Sequence, residues 1–226
     1  MINGQYNNYE SNRVVTEVLY RVFAWMAGAI GLSAATAYLA ADHYIFQTFP
    51  MMLVLLLVQV GIVVIVSGNI VSLPYSHVQG LFLTYAVLSG LTGSAIFRVY
   101  ELGSIIQLFF ATAGMFLVMA IYGYVTRVDL TQYQSLLYMV LWGVIIALLI
   151  NMFLGSSQFQ MLISIVGVLL FSALTAYDVH IIARMARTLL DREVMLNKIA
   201  ILCALQLYLD FINLFLSMLQ LFGKRK

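Results

Sequence analysis

Two aspartates stand where an aspartate is costly. Asp178 closes the apolar stretch LTAYDVH (174–180), and Asp210 lies in the middle of ALQLYLDFINLFLSMLQLFG (204–223). No Lys or Arg occurs inside these or the other apolar runs to neutralise them. A carboxylate within a bilayer span marks an ion path, a proton relay or a counter-ion by default. Two of them brought together in a seam of low dielectric cannot both ionise cheaply, so the pair is expected to share a proton. While the proton is shared the helices are held together; when both groups ionise, repulsion favours a wetter seam that attracts cations. Asp178 and Asp210 are therefore also the candidate metal ligands, for a cation in passage. A hard divalent cation takes roughly six to eight oxygens, so waters must complete the shell, which suits transit better than storage.

Around Asp210 the polar and small residues are ordered. Cys203, Gln206, Asp210, Asn213, Ser217 and Gln220 follow one another at steps of three and four. On a helix turning about 100° per residue they form one stripe. Lipid cannot satisfy such a stripe along a whole span, so the helix must face protein or water, and the last helix is expected to be central. Ser164, Gly167, Thr175 and Asp178 share a face of the preceding segment and form the other half of a polar seam. The candidate pathway-lining residues are Gln206, Asn213, Ser217 and Thr175. Ser, Asn and Gln at this spacing also serve as interhelical glue, and for Gln206, Asn213 and Ser217 that reading stays open.

These side chains can be positioned only by a membrane protein. The 226-residue chain is 63% hydrophobic and 9% charged, with a mean hydropathy of +1.00. Soluble domains carry roughly a quarter charged residues, so lipid must be the solvent here. A bilayer core needs about 20 apolar residues per helix. Seven runs qualify, over 22–41, 51–71, 78–97, 103–125, 135–155, 160–182 and 199–222. The fold class is an all-α, seven-transmembrane-helix bundle. Residues 1–21 form a polar cytoplasmic segment, 22–223 a single transmembrane domain and 224–226 a basic tail. Most connections are too short for a folded module, so successive helices are expected to be antiparallel. The 184–198 connection reads as a solvated cytoplasmic loop carrying Arg184, Arg187, Arg192 and Lys198 against Asp191 and Glu193.

Lys and Arg set the orientation. With the N-terminus cytoplasmic, that side holds Arg13, Arg21, Arg127, Arg184, Arg187, Arg192 and Lys198; the far side holds Arg98, Lys224, Arg225 and Lys226. The count favours N-in, with the basic tail outside as the dissenting feature. A re-entrant segment would instead bring both ends inside. The first span is too long for a signal-peptide core and is expected to be retained. Net charge is +2 without a long basic run, which sets nucleic-acid partners aside. Cys203 is the only cysteine, which excludes an intramolecular disulfide and a thiolate cluster.

The strings LTAYDVH and ALQLYLDFINLFLSMLQLFG, with SGLTGSAIF (89–97) and TAGMFLVMAIYGYVT (112–126), resemble the bacterial branch of the Bax-inhibitor-like family of multi-pass membrane proteins. The resemblance covers nearly the whole chain. It implies seven helices with the last surrounded by the other six, and a pH-sensitive calcium leak. It also implies an aspartate pair on helices six and seven that senses protons, matched here by Asp178 and Asp210. Some relatives carry an acidic residue within the second helix and a basic one near its end that engage the aspartates. Gln59 and Asn69 stand in the corresponding stretch, which puts such a latch in doubt. The connection between the aspartates also reads as longer than in some relatives.

The expectation is a calcium or cation leak of the inner cell membrane, monomeric, with no cofactor, no catalytic residue and other membrane proteins as candidate partners. One alternative is a non-conducting regulator that acts by binding membrane proteins. Another is an intramembrane aspartyl protease, whose acid pair would share a proton while activating water. Against the protease, bulky Leu207, Tyr208 and Leu209 precede Asp210, and the only prolines are Pro50 and Pro74. A retinal protein fails for want of a lysine inside the last helix. His43, His77 and His180 are too dispersed for a metal site. Trp25, Tyr44, Tyr75, Tyr100, Tyr133 and Tyr138 read as headgroup anchors, and Gly28, Gly31, Gly90 and Gly93 as close-packing positions.

Overall fold

Seven long helices follow one another along the chain: α1 (Ile2–Ala40), α2 (Phe49–Asn69), α3 (Tyr75–Gly93), α4 (Leu102–Val125), α5 (Gln134–Leu154), α6 (Ser157–Thr188) and α7 (Glu193–Phe222). The computed structural model describes residues 2–70, 72–188 and 193–226, and of these the side chains of 2–12, 47 and 193–195 fall outside the description. All seven helices are long and apolar enough to cross a membrane. Among the described residues there is no β-strand, only an isolated antiparallel bridge between Tyr100 and Arg225.

Local chemistry explains the helix ends. Pro50 sits in the first turn of α2, where its missing N–H costs nothing. Gly155 ends α5 in the left-handed region (φ 61°), and its N–H donates to Asn151 O at 2.8 Å. Asp129 caps the short 3-10 turn Leu130–Tyr133 by accepting from Thr131 N at 3.0 Å.

Three helices outrun the bilayer. α1, α6 and α7 have 39, 32 and 30 residues, where about 20 cross the hydrocarbon. The polar N-terminal segment is therefore helical from Ile2. The expected 184–198 loop is largely helix as well: α6 continues past Arg184 to Thr188, and α7 begins at Glu193. Asp191 and Arg192 lie outside the described residues. Burial ranks the helices. In its most apolar stretch α7 is 61% buried and α6 50%, whereas α5 is 11% buried and faces its surroundings.

The chain divides into two compact units, residues 1–99 with 182–208, and residues 100–181 with 209–226. In the first, α1 packs on α3 where Gly90 has no side chain: a Cβ there would lie 2.5 Å from Ser33 O. Ser33 Oγ donates to Ala86 O at 2.7 Å and lies 2.7 Å from the Tyr208 hydroxyl. Phe82 and Tyr85 meet the fully buried Tyr208 ring edge-on. Gly28, Gly31 and Gly93 have no neighbour within 4 Å of a built Cβ, so of the four glycines read as packing positions only Gly90 is one.

In the second unit Phe109 and Phe116 pack edge-on against Phe211. Gly123 abuts the backbone of Ala176, with Leu130 and Tyr177 packed alongside. The C-terminal tail is tied to the start of α4: Glu101 N donates to Lys224 O at 2.9 Å, and Lys224 N to Ser104 Oγ at 3.0 Å.

Candidate functional site

Asp178 and Asp210 meet. Their carboxyl groups are in hydrogen-bonding contact, and each residue is only 5% exposed. The register follows from the long helices. Asp178 stands ten residues before the end of α6, and Asp210 seventeen residues after the start of α7. At about 1.5 Å per residue, α7 starts about 10 Å, or two turns, further from the pair than α6 ends. Along the first turns of α7, Ala200, Ile201, Cys203 and Ala204 are buried and Arg21 of α1 is hydrogen-bonded to Asn197.

Asp210 Oδ2 is buried and, among the described residues, has no N–H or O–H donor. An unserved carboxylate oxygen in an apolar interior is costly. A proton held between the two carboxyls relieves it, and so does a cation drawn to both. Two carboxylates do not make a tight metal site, and among the described residues no group of three or more His, Cys, Asp or Glu side chains gathers anywhere.

The lining candidates separate. Thr175 is fully buried and donates to Phe171 O at 2.7 Å. Asn213, half-buried, donates to Leu209 O at 2.8 Å, and buried Ser217 donates to Asn213 O at 2.8 Å. The Thr175 and Ser217 hydroxyls spend their single donor on their own helix and keep lone pairs for the seam, while the Asn213 amide keeps its oxygen and a second N–H. Ser217 Oγ stands beside the bare Cα of Gly167, where a Cβ would come within 2.6 Å of it. Gln206 is exposed and lies outside this buried set. In α2, Gln59 and Asn69 donate their amides to Leu55 O and Ile65 O of their own helix.

Two features escaped the sequence reading. Tyr138 of α5, taken there as a headgroup anchor, lies within electrostatic range of both carboxylates. His180, two residues beyond Asp178, faces the α4–α5 connection, with Nδ1 3.3 Å from Gly123 O and Nε2 3.8 Å from Asp129 Oδ1. Neither departs from ordinary residue statistics, so periodicity alone had no signal for them. A groove of about 240 Å³ between α5 and α6, lined by Val140, Gly143, Val144, Leu162, Ile163 and Val166, has no polar side chain to carry a hydrated ion.

Seven helices long and apolar enough to span a bilayer, two of them carrying buried aspartates that meet, define a polytopic integral membrane protein. The chain belongs to the Bax inhibitor-like family, whose model, described as Inhibitor of apoptosis-promoting Bax1, matches residues 15–226. Its relatives include an uncharacterized protein of Borreliella burgdorferi, 42% identical over 94% of both chains. The inner membrane protein YbhL of Escherichia coli is 38% identical over 91% of both chains. An uncharacterized protein of Deinococcus radiodurans is 35% identical over 93% of this chain and 92% of its own.

Proposed function

We propose that this protein is a pH-sensitive leak for calcium, or cations like it, gated by a proton shared between Asp178 and Asp210. The observation that carries the reading is the contact of two buried carboxyls with one oxygen left without a donor. At such a distance, double ionisation sets two like charges against each other where water cannot screen them. A shared proton joins α6 to α7; its loss drives them apart and leaves two anionic groups to draw a cation in. The acceptor oxygens of Thr175, Asn213 and Ser217 extend the favourable environment along the seam, so cations are preferred over anions.

The proposed setting is the inner cell membrane, as for the relative YbhL, with a monomeric protein, a cytoplasmic N-terminus and no enzymatic step. Leu207 and Tyr208, three and two residues before Asp210 in the chain, are bulky and fully buried, where a protease needs small residues for close approach of its substrate. The test is calcium entry into dye-loaded liposomes containing the purified protein. Entry above the protein-free rate, varying across roughly pH 6 to 8, supports the leak. Protein-free rates at every pH refute it and leave the non-conducting regulator.

A further inference from the structure

A second polar assembly lies in the same unit as the aspartates, at the other end of the seam. Asn151 of α5 donates through Nδ2 to Gln160 Oε1 of α6 at 2.8 Å. Gln160 Nε2 donates to Gln220 Oε1 of α7 at 2.5 Å, and Ser164 Oγ donates to the same oxygen at 2.7 Å. Asn151 is steadied from behind, its Oδ1 accepting from Ser156 N at 3.1 Å. Three helices are thus joined by one chain of carboxamides.

Gln220 is ten residues beyond Asp210 and Ser164 fourteen before Asp178, so the assembly stands about 15–20 Å along the helices from the acid pair. Asn151, Gln160 and Gln220 each lie within about one turn of a helix end. Between the two sites the seam narrows where Ser217 Oγ occupies the space over Gly167. Asn151 and Ser164 are buried, at 8% and 1% exposure, Gln160 is half-buried and Gln220 exposed, so the assembly runs from the protein interior to its surface at this end of the seam.

We infer that Asn151, Gln160, Ser164 and Gln220 form a second gate, in series with the aspartates and insensitive to pH, whose Gln160–Gln220 hydrogen bond must part for an ion to pass. The inference rests on the leak reading above. None of the four side chains ionises in the physiological range, so this barrier does not move with protons. Its neutral amides offer both donors and acceptors, so when parted they can hydrate a passing cation without trapping it. The same hydrogen bonds would also tie α5, α6 and α7 together if the assembly were purely structural, and the experiment must separate the two roles.

The experiment uses full-length protein with Cys203→Ala, in which Gln160→Cys and Gln220→Cys provide a thiol pair. A short bis-methanethiosulfonate reagent bridges them in the liposomes, the bridge is verified by mass spectrometry, and calcium entry is read before bridging, after it and after reduction. The gate predicts that bridging lowers entry at least tenfold at every pH and that reduction restores it; each single-cysteine variant treated alike stays unaffected. A verified bridge with unchanged entry overturns the gate and leaves structural glue. Failure of the bridge to form overturns the side-chain arrangement on which the gate depends. Unmodified protein that conducts at no pH refutes the leak itself and the gate with it, an outcome distinct from a conducting protein indifferent to the bridge.

Discussion

Gly90→Ala, compared with Gly31→Ala, tests the α1–α3 contact. Gly31 lies well inside α1 and Gly90 in the last turn of α3, and on propensity alone replacing a helical glycine by alanine gains up to about 1 kcal/mol. At Gly31 the new methyl meets nothing within 4 Å, so the gain stands. At Gly90 it would lie 2.5 Å from Ser33 O, 2.7 Å from Thr36 Cβ and 3.1 Å from Ser33 Cα. Unbonded carbon and oxygen settle near ~3.3–3.6 Å, so the backbones must part by the better part of an ångström. Overpacking of this kind costs about 1–3 kcal/mol. The shift also strains the 2.7 Å contacts of Ser33 with Ala86 and Tyr208, each worth about 1 kcal/mol. Gly90→Ala should therefore be less stable than Gly31→Ala by about 2–4 kcal/mol, on the order of 10 °C in melting temperature for a chain of this size. Cys203 is a built-in reporter: it is 1% exposed, and a thiol-reactive dye labels it as the detergent-solubilised protein melts. A Gly90→Ala melting temperature equal to or above that of Gly31→Ala refutes the packing argument.

Tyr208→Phe keeps the buried ring but removes the hydroxyl at Ser33, and should cost about 1 kcal/mol in the same melting assay. Deleting residues 224–226 removes the Glu101–Lys224 and Lys224–Ser104 hydrogen bonds and should lower the melting temperature by a few degrees, because about 1–2 kcal/mol of tethering is lost. Seven spans place the termini on opposite sides of the membrane. A C-terminal reporter that works only outside the cytoplasm should therefore be active; a silent one, with its cytoplasmic counterpart active, refutes the proposed orientation.

The spans and the aspartates were legible because each is a strong chemical signal. Twenty apolar residues in a row have few other uses, and a carboxylate inside such a run violates a steep solvation preference. Helix length beyond the bilayer was not legible. Arg184, Arg187 and Lys198 announce the membrane surface, yet helix continues through Arg187 to Thr188 because polar residues extend a helix in water as readily as apolar ones do in lipid. The stripe on α7 was traced correctly as a helical face but overread as a uniform environment: Asp210 and Ser217 are buried while Gln206 and Gln220 are exposed. Periodicity reports direction around a helix and says nothing of what stands opposite. The same limit hid Tyr138 and the carboxamide chain, since both depend on which residues of α5 meet α6 and α7. Gly90 differs from Gly31 only through Ser33 and Thr36, a difference that belongs to the packed pair and to neither helix alone.

The central claim, that a proton shared by Asp178 and Asp210 controls cation passage, is tested most directly by the pH profile of calcium entry in Asp210→Asn beside the unmodified protein. Asn fills nearly the same volume and keeps a hydrogen bond to Asp178, so the contact can survive while the repulsion of two ionised carboxylates cannot arise. The account predicts that entry through the unmodified protein rises several-fold from roughly pH 6 to 8 as the shared proton leaves, and that the variant responds little over the same range. A variant that conducts with the same pH dependence as the unmodified protein would contradict the account.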